Sequence, residues 1–208
     1  MKNPAVEHLS RCDKKLARVI KQAGPCPLKP RRGVQPWQAL VRSVAFQQLN
    51  GNAAETIFNR FLALFPGTRF PTPQQIVRAT DAQLRSAGLS GAKTAAIKDI
   101  AAKTIAGVVP DRRTIARLSD AEIIERLTTI RGVGPWTVEM LLMFTLGRPD
   151  VLPVTDYGVR SGFALIHGLK ELPPPKELLA YGERWRPHRS AAAWYLWRAV
   201  DLARAKAK

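Results

Sequence analysis

The chain has 208 residues, 46% of them hydrophobic, and carries 33 Lys and Arg against 16 Asp and Glu, for a formal charge of +17. That length and apolar content can bury a real core, in one domain or two small ones, so the charge excess is a surface property of a folded protein and a polyanion is the expected partner. No apolar run approaches the ~18 residues of a membrane span, no signal-peptide pattern opens the chain, and two cysteines, Cys12 and Cys26, exclude a disulfide framework or a four-thiolate metal site; a cytoplasmic protein with free thiols is expected, nucleoid-associated if bacterial.

The pattern is helical nearly everywhere, and an all-α fold is expected. Ala5 to Ala23 has a helical apolar period, with Asp13 as an internal cap. Pro25 to Pro36 is rich in Pro, Gly, Lys and Arg and reads as a loop. Helices follow over Trp37 to Gln47 and Gly51 to Leu64, the second with Asn50 as N-cap. After a loop from Pro66 to Pro73 come a short helix from Pro73, another after Thr80, and a longer one from Gly91 to Ile105. Ser119-Asp120-Ala121-Glu122 is a capping box that opens the next helix. Pro135 to Leu146 reads as a further helix, and Arg148 to Thr155 as a loop. Asp156 opens a helix to about His167, Pro173-Pro174-Pro175 breaks the chain, and Lys176 to Trp185 and His188 to Ala205 complete it. The best strand candidate is Val151 to Val154, which Pro153 demotes.

The stretch with most chemical content is Thr128 to Val138. A helical pattern runs into Ile130, breaks at Gly132-Val133-Gly134, and resumes at Trp136. A Gly-rich turn this short leaves backbone N–H groups exposed at the start of the second helix, where they and the helix dipole suit a phosphate. Gly132, Val133, Gly134 and Thr137 are therefore candidates for gripping a nucleic-acid backbone without reading its sequence. Pro135 costs the first helical turn no hydrogen bond. About twenty residues later stands Asp156, in Pro153-Val154-Thr155-Asp156-Tyr157-Gly158-Val159. It reads as an N-cap, and a catalytic role is compatible with that. A helix N-terminus favours the ionised carboxylate, which beside a sugar could stabilise an oxocarbenium-like transition state.

The hairpin and the Pro-x-x-Asp-Tyr segment resemble the helix-hairpin-helix DNA glycosylases, most closely the alkylpurine branch typified by 3-methyladenine DNA glycosylase II. Three further segments share the likeness: Val44-Ala45-Phe46-Gln47-Gln48-Leu49, Gly88-Leu89-Ser90-Gly91-Ala92-Lys93 and Trp185-Arg186-Pro187-His188-Arg189-Ser190. The resemblance spans roughly Pro36 to Arg198. It implies two helical subdomains flanking a DNA-binding cleft, one formed by residues 1–36 with 149–208, the other by 37–148 with the hairpin at about 127–146. It implies Asp156 as the catalytic carboxylate, Leu49 with Gln48 as the wedge entering the duplex, and Trp136, Tyr157, Trp197 and Met140 as walls of the base pocket. Met140 stands where the bacterial inducible enzyme has a pocket tyrosine. The resemblance also offers the backbone carbonyls of Thr128, Ile130 and Val133 as ligands of a structural monovalent cation, with no catalytic metal or organic cofactor. Bifunctional relatives carry a lysine two residues after the hairpin's second glycine, where this chain has Trp136, so a monofunctional hydrolase is expected. The four-cysteine iron–sulfur loop of endonuclease III-like relatives is excluded by the cysteine count. The expected partner is double-stranded DNA containing damaged bases, bound by a monomer with no membrane contact. The readings set against this are a non-catalytic helix-hairpin-helix module and a bifunctional oxidised-base glycosylase/lyase.

Overall fold

The computed structural model describes residues 3–31, 33–49 and 51–206, all of them helix, turn or loop, with no strand among them. The Asn50 cap expected from the sequence lies outside the described residues. The chain forms two compact units, Met1–Pro30 with Leu142–Lys208, and Arg31–Leu141.

In the unit built from both termini, α1 (Pro4–Cys12) and α2 (Lys14–Ala23) divide the Ala5 to Ala23 period at Asp13, where the sequence places an internal cap. Asp13 is more than an internal cap. Its backbone is extended at φ −143°, and its carboxylate takes the N–H groups of Lys15 and Leu16, each at 3.0 Å, to start α2. Its second oxygen accepts from Trp185 Nε1 at 3.0 Å and from Tyr181 Oη at 3.3 Å. The carboxylate is thus buried with both oxygens hydrogen-bonded, the condition under which a buried polar group is tolerated. The same unit holds α11 (Tyr157–His167), α12 (Pro175–Gly182), a 3₁₀ turn at Glu183–Trp185, and α13 (Arg189–Lys206); the labels α3 to α10 belong to the other unit. Pro175, read as a breaker, is the first residue of α12, where a missing N–H costs nothing. α11 and α13 touch through backbone: a Cβ on Gly162 would sit 2.1 Å from the Leu196 carbonyl oxygen. Leu9, Leu16, Val159, Leu178, Trp185 and Leu196 form the fully buried core.

The second unit contains α3 (Pro36–Phe46), α4 (Gly51–Ala63), α5 (Pro73–Arg78), α6 (Asp81–Ser86), α7 (Gly91–Ile105), α8 (Arg112–Ile115), α9 (Asp120–Leu127) and α10 (Pro135–Met140). Three reciprocal capping boxes, Thr72/Gln75, Thr80/Gln83 and Ser119/Glu122, start α5, α6 and α9. Helix α7 is buried along Ile97, Ile100 and Ala101 and packs on α3 and α5. The helix expected over Pro135 to Leu146 is α-helical only to Met140; Leu141–Leu146 continues it as a wider π-helical run. Leu141, Leu142, Met143 and Thr145 are all buried, so this stretch lacks the one-sided apolar period that would show its pitch. Val151 to Val154 is loop.

Candidate active site and nucleic-acid interface

Asp156 is the N-cap of α11. Its Oδ1 accepts the Val159 N–H at 2.7 Å and the indole N–H of Trp197 at 2.7 Å. Trp197 comes from α13 and lies stacked on Phe144, ring centroids 5.9 Å apart. The contact requires Gly158, since a Cβ there would lie 2.7 Å from Trp197 Cδ1 and 2.9 Å from its Nε1. Two N–H donors on one carboxylate oxygen fix its direction. Tyr157, the next residue, is 70% exposed.

The loop that delivers Asp156 is braced by the segment Trp185 to Ser190. Arg189 forms a forked pair with Asp150, Nε to Oδ1 at 2.9 Å and Nη2 to Oδ2 at 3.0 Å, and Arg186 Nε adds a bond to Oδ2 at 3.0 Å. Burial pushes the Asp150 carboxyl up, but the Arg189 bonds and charge outweigh it and hold the group below the usual carboxylate range. The Ser190 hydroxyl donates to the Arg148 carbonyl at 2.7 Å and accepts the Val151 N–H at 3.0 Å. Both ends of the loop are therefore fixed: one by α13, one by the cap at Asp156.

In the other unit, the hairpin links α9 to α10. Gly132 adopts φ +73°, and a Cβ on it would meet Ala96 Cβ at 2.9 Å, so only glycine fits. Gly134 is the N-cap of α10 and has no side chain to satisfy the first-turn N–H groups. The Val133 side chain is buried and its N–H bonds the Ile130 carbonyl at 3.1 Å. The Thr137 side chain is buried too, and its hydroxyl accepts from Gln47 Nε2 at 3.2 Å. What this turn can present to a phosphate is therefore main-chain N–H at the helix start, not the Val133 N–H or the Thr137 hydroxyl. Helix α7 holds the turn from behind: Asp99 accepts the Arg131 N–H at 2.7 Å, and Lys103 donates to the Thr129 carbonyl. Gln47 Nε2 also donates to the Gly132 carbonyl at 3.1 Å, tying the end of α3 to the turn. Lys93 closes the same helix end by donating to Ala45 O at 2.8 Å.

Beyond that end stand Gln48 and Leu49. Gln48 has φ +56°, the only non-glycine in the left-handed region among the described residues. Such strain concentrates at functional turns. Leu49 is 39% exposed and Trp136 is 40% exposed, unusual for large apolar side chains, while Met140 is half-buried. The structure thus brings Asp156, Tyr157 and Trp197 together in one unit. It gathers Gln48, Leu49, Trp136, Met140 and the hairpin in the other. Sequence reasoning missed the bracing residues Gln47, Asp99, Lys103, Asp150, Gly158 and Arg189. Of these, Gln47, Gly158 and Arg189 fell in stretches singled out for their pattern, and none of them for the contact it makes. No helix of the described residues is long and apolar enough to cross a membrane.

Residues 41–187 match the model of the HhH-GPD superfamily of base excision DNA repair proteins. The chain is similar to DNA-3-methyladenine glycosylase 1 of Schizosaccharomyces pombe, 42% identical over 199 residues, covering 94% of this chain and 86% of that protein. Among solved structures it is similar to the S. pombe 3-methyladenine DNA glycosylase in complex with abasic DNA, with a TM-score of 0.87 at 42% identity, covering 97% of this chain and 98% of that one. It also resembles a DNA-3-methyladenine glycosidase from Bacillus halodurans, with a TM-score of 0.86 at 35% identity, covering 98% and 92%.

Proposed function

We propose, because the chain belongs to the HhH-GPD superfamily of base excision DNA repair proteins, that it is a monofunctional DNA glycosylase that hydrolyses the N-glycosidic bond of alkylated purines such as 3-methyladenine and leaves an abasic site. The observation that carries this reading is Asp156, a carboxylate capping a helix and aimed by the Val159 and Trp197 N–H groups. The S. pombe relatives described above, matched over most of their length, are named as 3-methyladenine DNA glycosylases.

The chemistry follows from the side chains. The hairpin's helix-start N–H groups and a surface excess of cations hold the phosphates of damaged duplex DNA. Leu49, with Gln48, enters the stack where the lesion nucleotide leaves it, a flip costing a few kcal/mol and least for damaged bases. An N-alkylated purine is cationic and stacks on electron-rich rings; Trp136, Tyr157 and Trp197 supply them, with Met140 as a further wall. As the C1′–N bond breaks, its electron pair neutralises the base, which departs without a proton from the enzyme. Positive charge then moves to the sugar, where the fixed Asp156 carboxylate stabilises it. Water adds its oxygen to C1′ and loses a proton, giving the abasic sugar.

Trp136 stands where a lyase has its lysine, so no Schiff base forms and the strand stays intact. The carbonyls of Thr128, Ile130 and Val133 are hard oxygen donors of the kind that suits an alkali cation, and Ile130 keeps a lone pair beyond its bond to the Val133 N–H. We assign them as ligands of a structural monovalent cation that would stiffen the turn. A repair enzyme acts in the compartment that holds the genome, and we place this one there as a monomer.

The test is a product gel. Wild-type protein on duplex DNA containing one 3-methyladenine-type base should leave a strand that breaks only after hot alkali. Spontaneous breakage, with a complex trapped by borohydride, would overturn the monofunctional assignment.

A further inference from the structure

Helices α3 and α4 pack on each other on either side of the turn that bears Leu49; Arg42 pairs with Glu55 at 2.8 Å and Phe46 meets Phe58 at 5.9 Å. At the far end of this pair lies a groove of about 540 Å³. Phe58, Leu62 and Phe70 line its floor, and Arg31, Arg42 and Arg69 stand around it. The Arg42 guanidinium lies 4.0 Å over the Phe46 ring and is matched by Glu55. Arg31 and Arg69 are exposed and make no ion pair among the described residues. At about 1.5 Å per helical residue, Phe58 and Leu62 lie about 10 Å and about 16 Å along α4 from its first residue, Gly51.

The groove's chemistry differs from that of the DNA-gripping end. A phosphate needs the arginines but not the apolar floor. An apolar side chain needs the floor but gains nothing from unmatched cations on its rim. A second copy of this chain would bring its own +17 against the same arginines. An acidic peptide with a leucine or aromatic anchor satisfies both halves: the anchor removes the floor from water, and flanking carboxylates pair with Arg31 and Arg69.

We propose that this groove docks an acidic, apolar-anchored peptide segment of a partner protein, at a distance that leaves the Leu49 turn and the hairpin free for DNA. A single-stranded nucleic acid, which offers a base ring and a phosphate, is the competitor to separate from it.

The probe is a fluorescein-labelled octapeptide of Asp and Glu around a central Leu-Trp pair, titrated into the full-length protein by anisotropy. Saturable binding is expected, with amide NMR shifts centred on residues 31–42 and 58–70. Replacing Leu-Trp by Ser-Ser at equal charge should weaken it about tenfold or more, and so should the Arg31→Glu/Arg69→Glu double variant. That variant should fold and excise bases at the wild-type rate, and protein saturated with abasic duplex should bind the peptide as well as free protein does. Absence of binding, or equal affinity for the Ser-Ser peptide, would overturn the proposal. So would displacement of the peptide by oligothymidylate in a manner that depends on Arg31 and Arg69, which would assign the groove to single strands. Self-association abolished by Leu62→Gln would assign it to a second copy instead.

Discussion

One oxygen of Asp156 serves two neighbours, capping α11 and accepting from the Trp197 indole. Asparagine can accept both bonds through its amide oxygen and is an equally good cap, so Asp156→Asn should fold normally and bind duplex DNA as the wild type does. It lacks the charge, and single-turnover base release should fall by ~10²-fold or more; release within a few-fold of wild type would remove Asp156 from the chemistry. Trp197→Phe keeps a ring against Phe144 but loses the N–H. A hydrogen bond to a charged group contributes about 1.5–3 kcal/mol, so the rate should fall about tenfold or more with DNA affinity retained. At this scale the sequence is half legible. Asp156 shows itself as a cap, and its pairing with Tyr157 carries the family likeness. Trp197 reads only as a pocket ring, because its partner lies 41 residues away and no local pattern says which side chains will meet. Gly158 is silent for the same reason: its need for no side chain comes from Trp197.

The hairpin is the element whose parts can be tested separately. Gly134→Asp places a carboxylate where the proposed grip would hold a phosphate, yet a Cβ there meets nothing within 4 Å and aspartate is a favourable N-cap. The variant should therefore be folded but weaker on every DNA sequence alike, measured as Kd on several unrelated duplexes; a change of lesion or sequence preference at unchanged affinity would count against the phosphate grip. Gly132→Ala is the opposite case. It meets Ala96 and a left-handed φ, and should cost about 1–3 kcal/mol in thermal or denaturant unfolding before any DNA is added. Elements with local signals are readable from the sequence. α7 spans Gly91–Ile105 as expected, since Ser90 caps it, and the capping boxes mark their helix starts. What resists reading is set by tertiary contacts. Asp13 reads as a cap, but its second oxygen is held by Trp185 and Tyr181 more than 160 residues away, and the run Leu141–Leu146 is buried too fully for its pitch to show in its pattern.

Over the whole molecule, charge and histidine titration set the response to conditions. Each phosphate neutralised should contribute about −0.9 to the slope of log K against log salt, and a slope near zero would separate the +17 charge from DNA binding. Burial and the Lys15 charge hold His167 below the ordinary histidine range, and burial and the neighbouring His8 do the same for His188. The unfolded chain thus takes up these protons first. Stability should hold above about pH 6.5 and decline as pH falls through it. His167→Phe keeps a ring against Phe163 and should flatten the dependence of Tm on pH between neutral and mildly acid solution; an unchanged dependence would exclude His167 as its source. The discontinuous terminal unit has a consequence during translation. Domains generally fold as they emerge from the ribosome, N-terminal parts first. Residues 31–141 are all synthesised before α11 begins, whereas Asp13 waits for Tyr181 and Trp185, and Asp156 waits for Trp197. In this order the hairpin proposed to grip DNA is complete before the Asp156 carboxylate is set, so a product of interrupted translation is expected to cling to DNA without releasing a base from it.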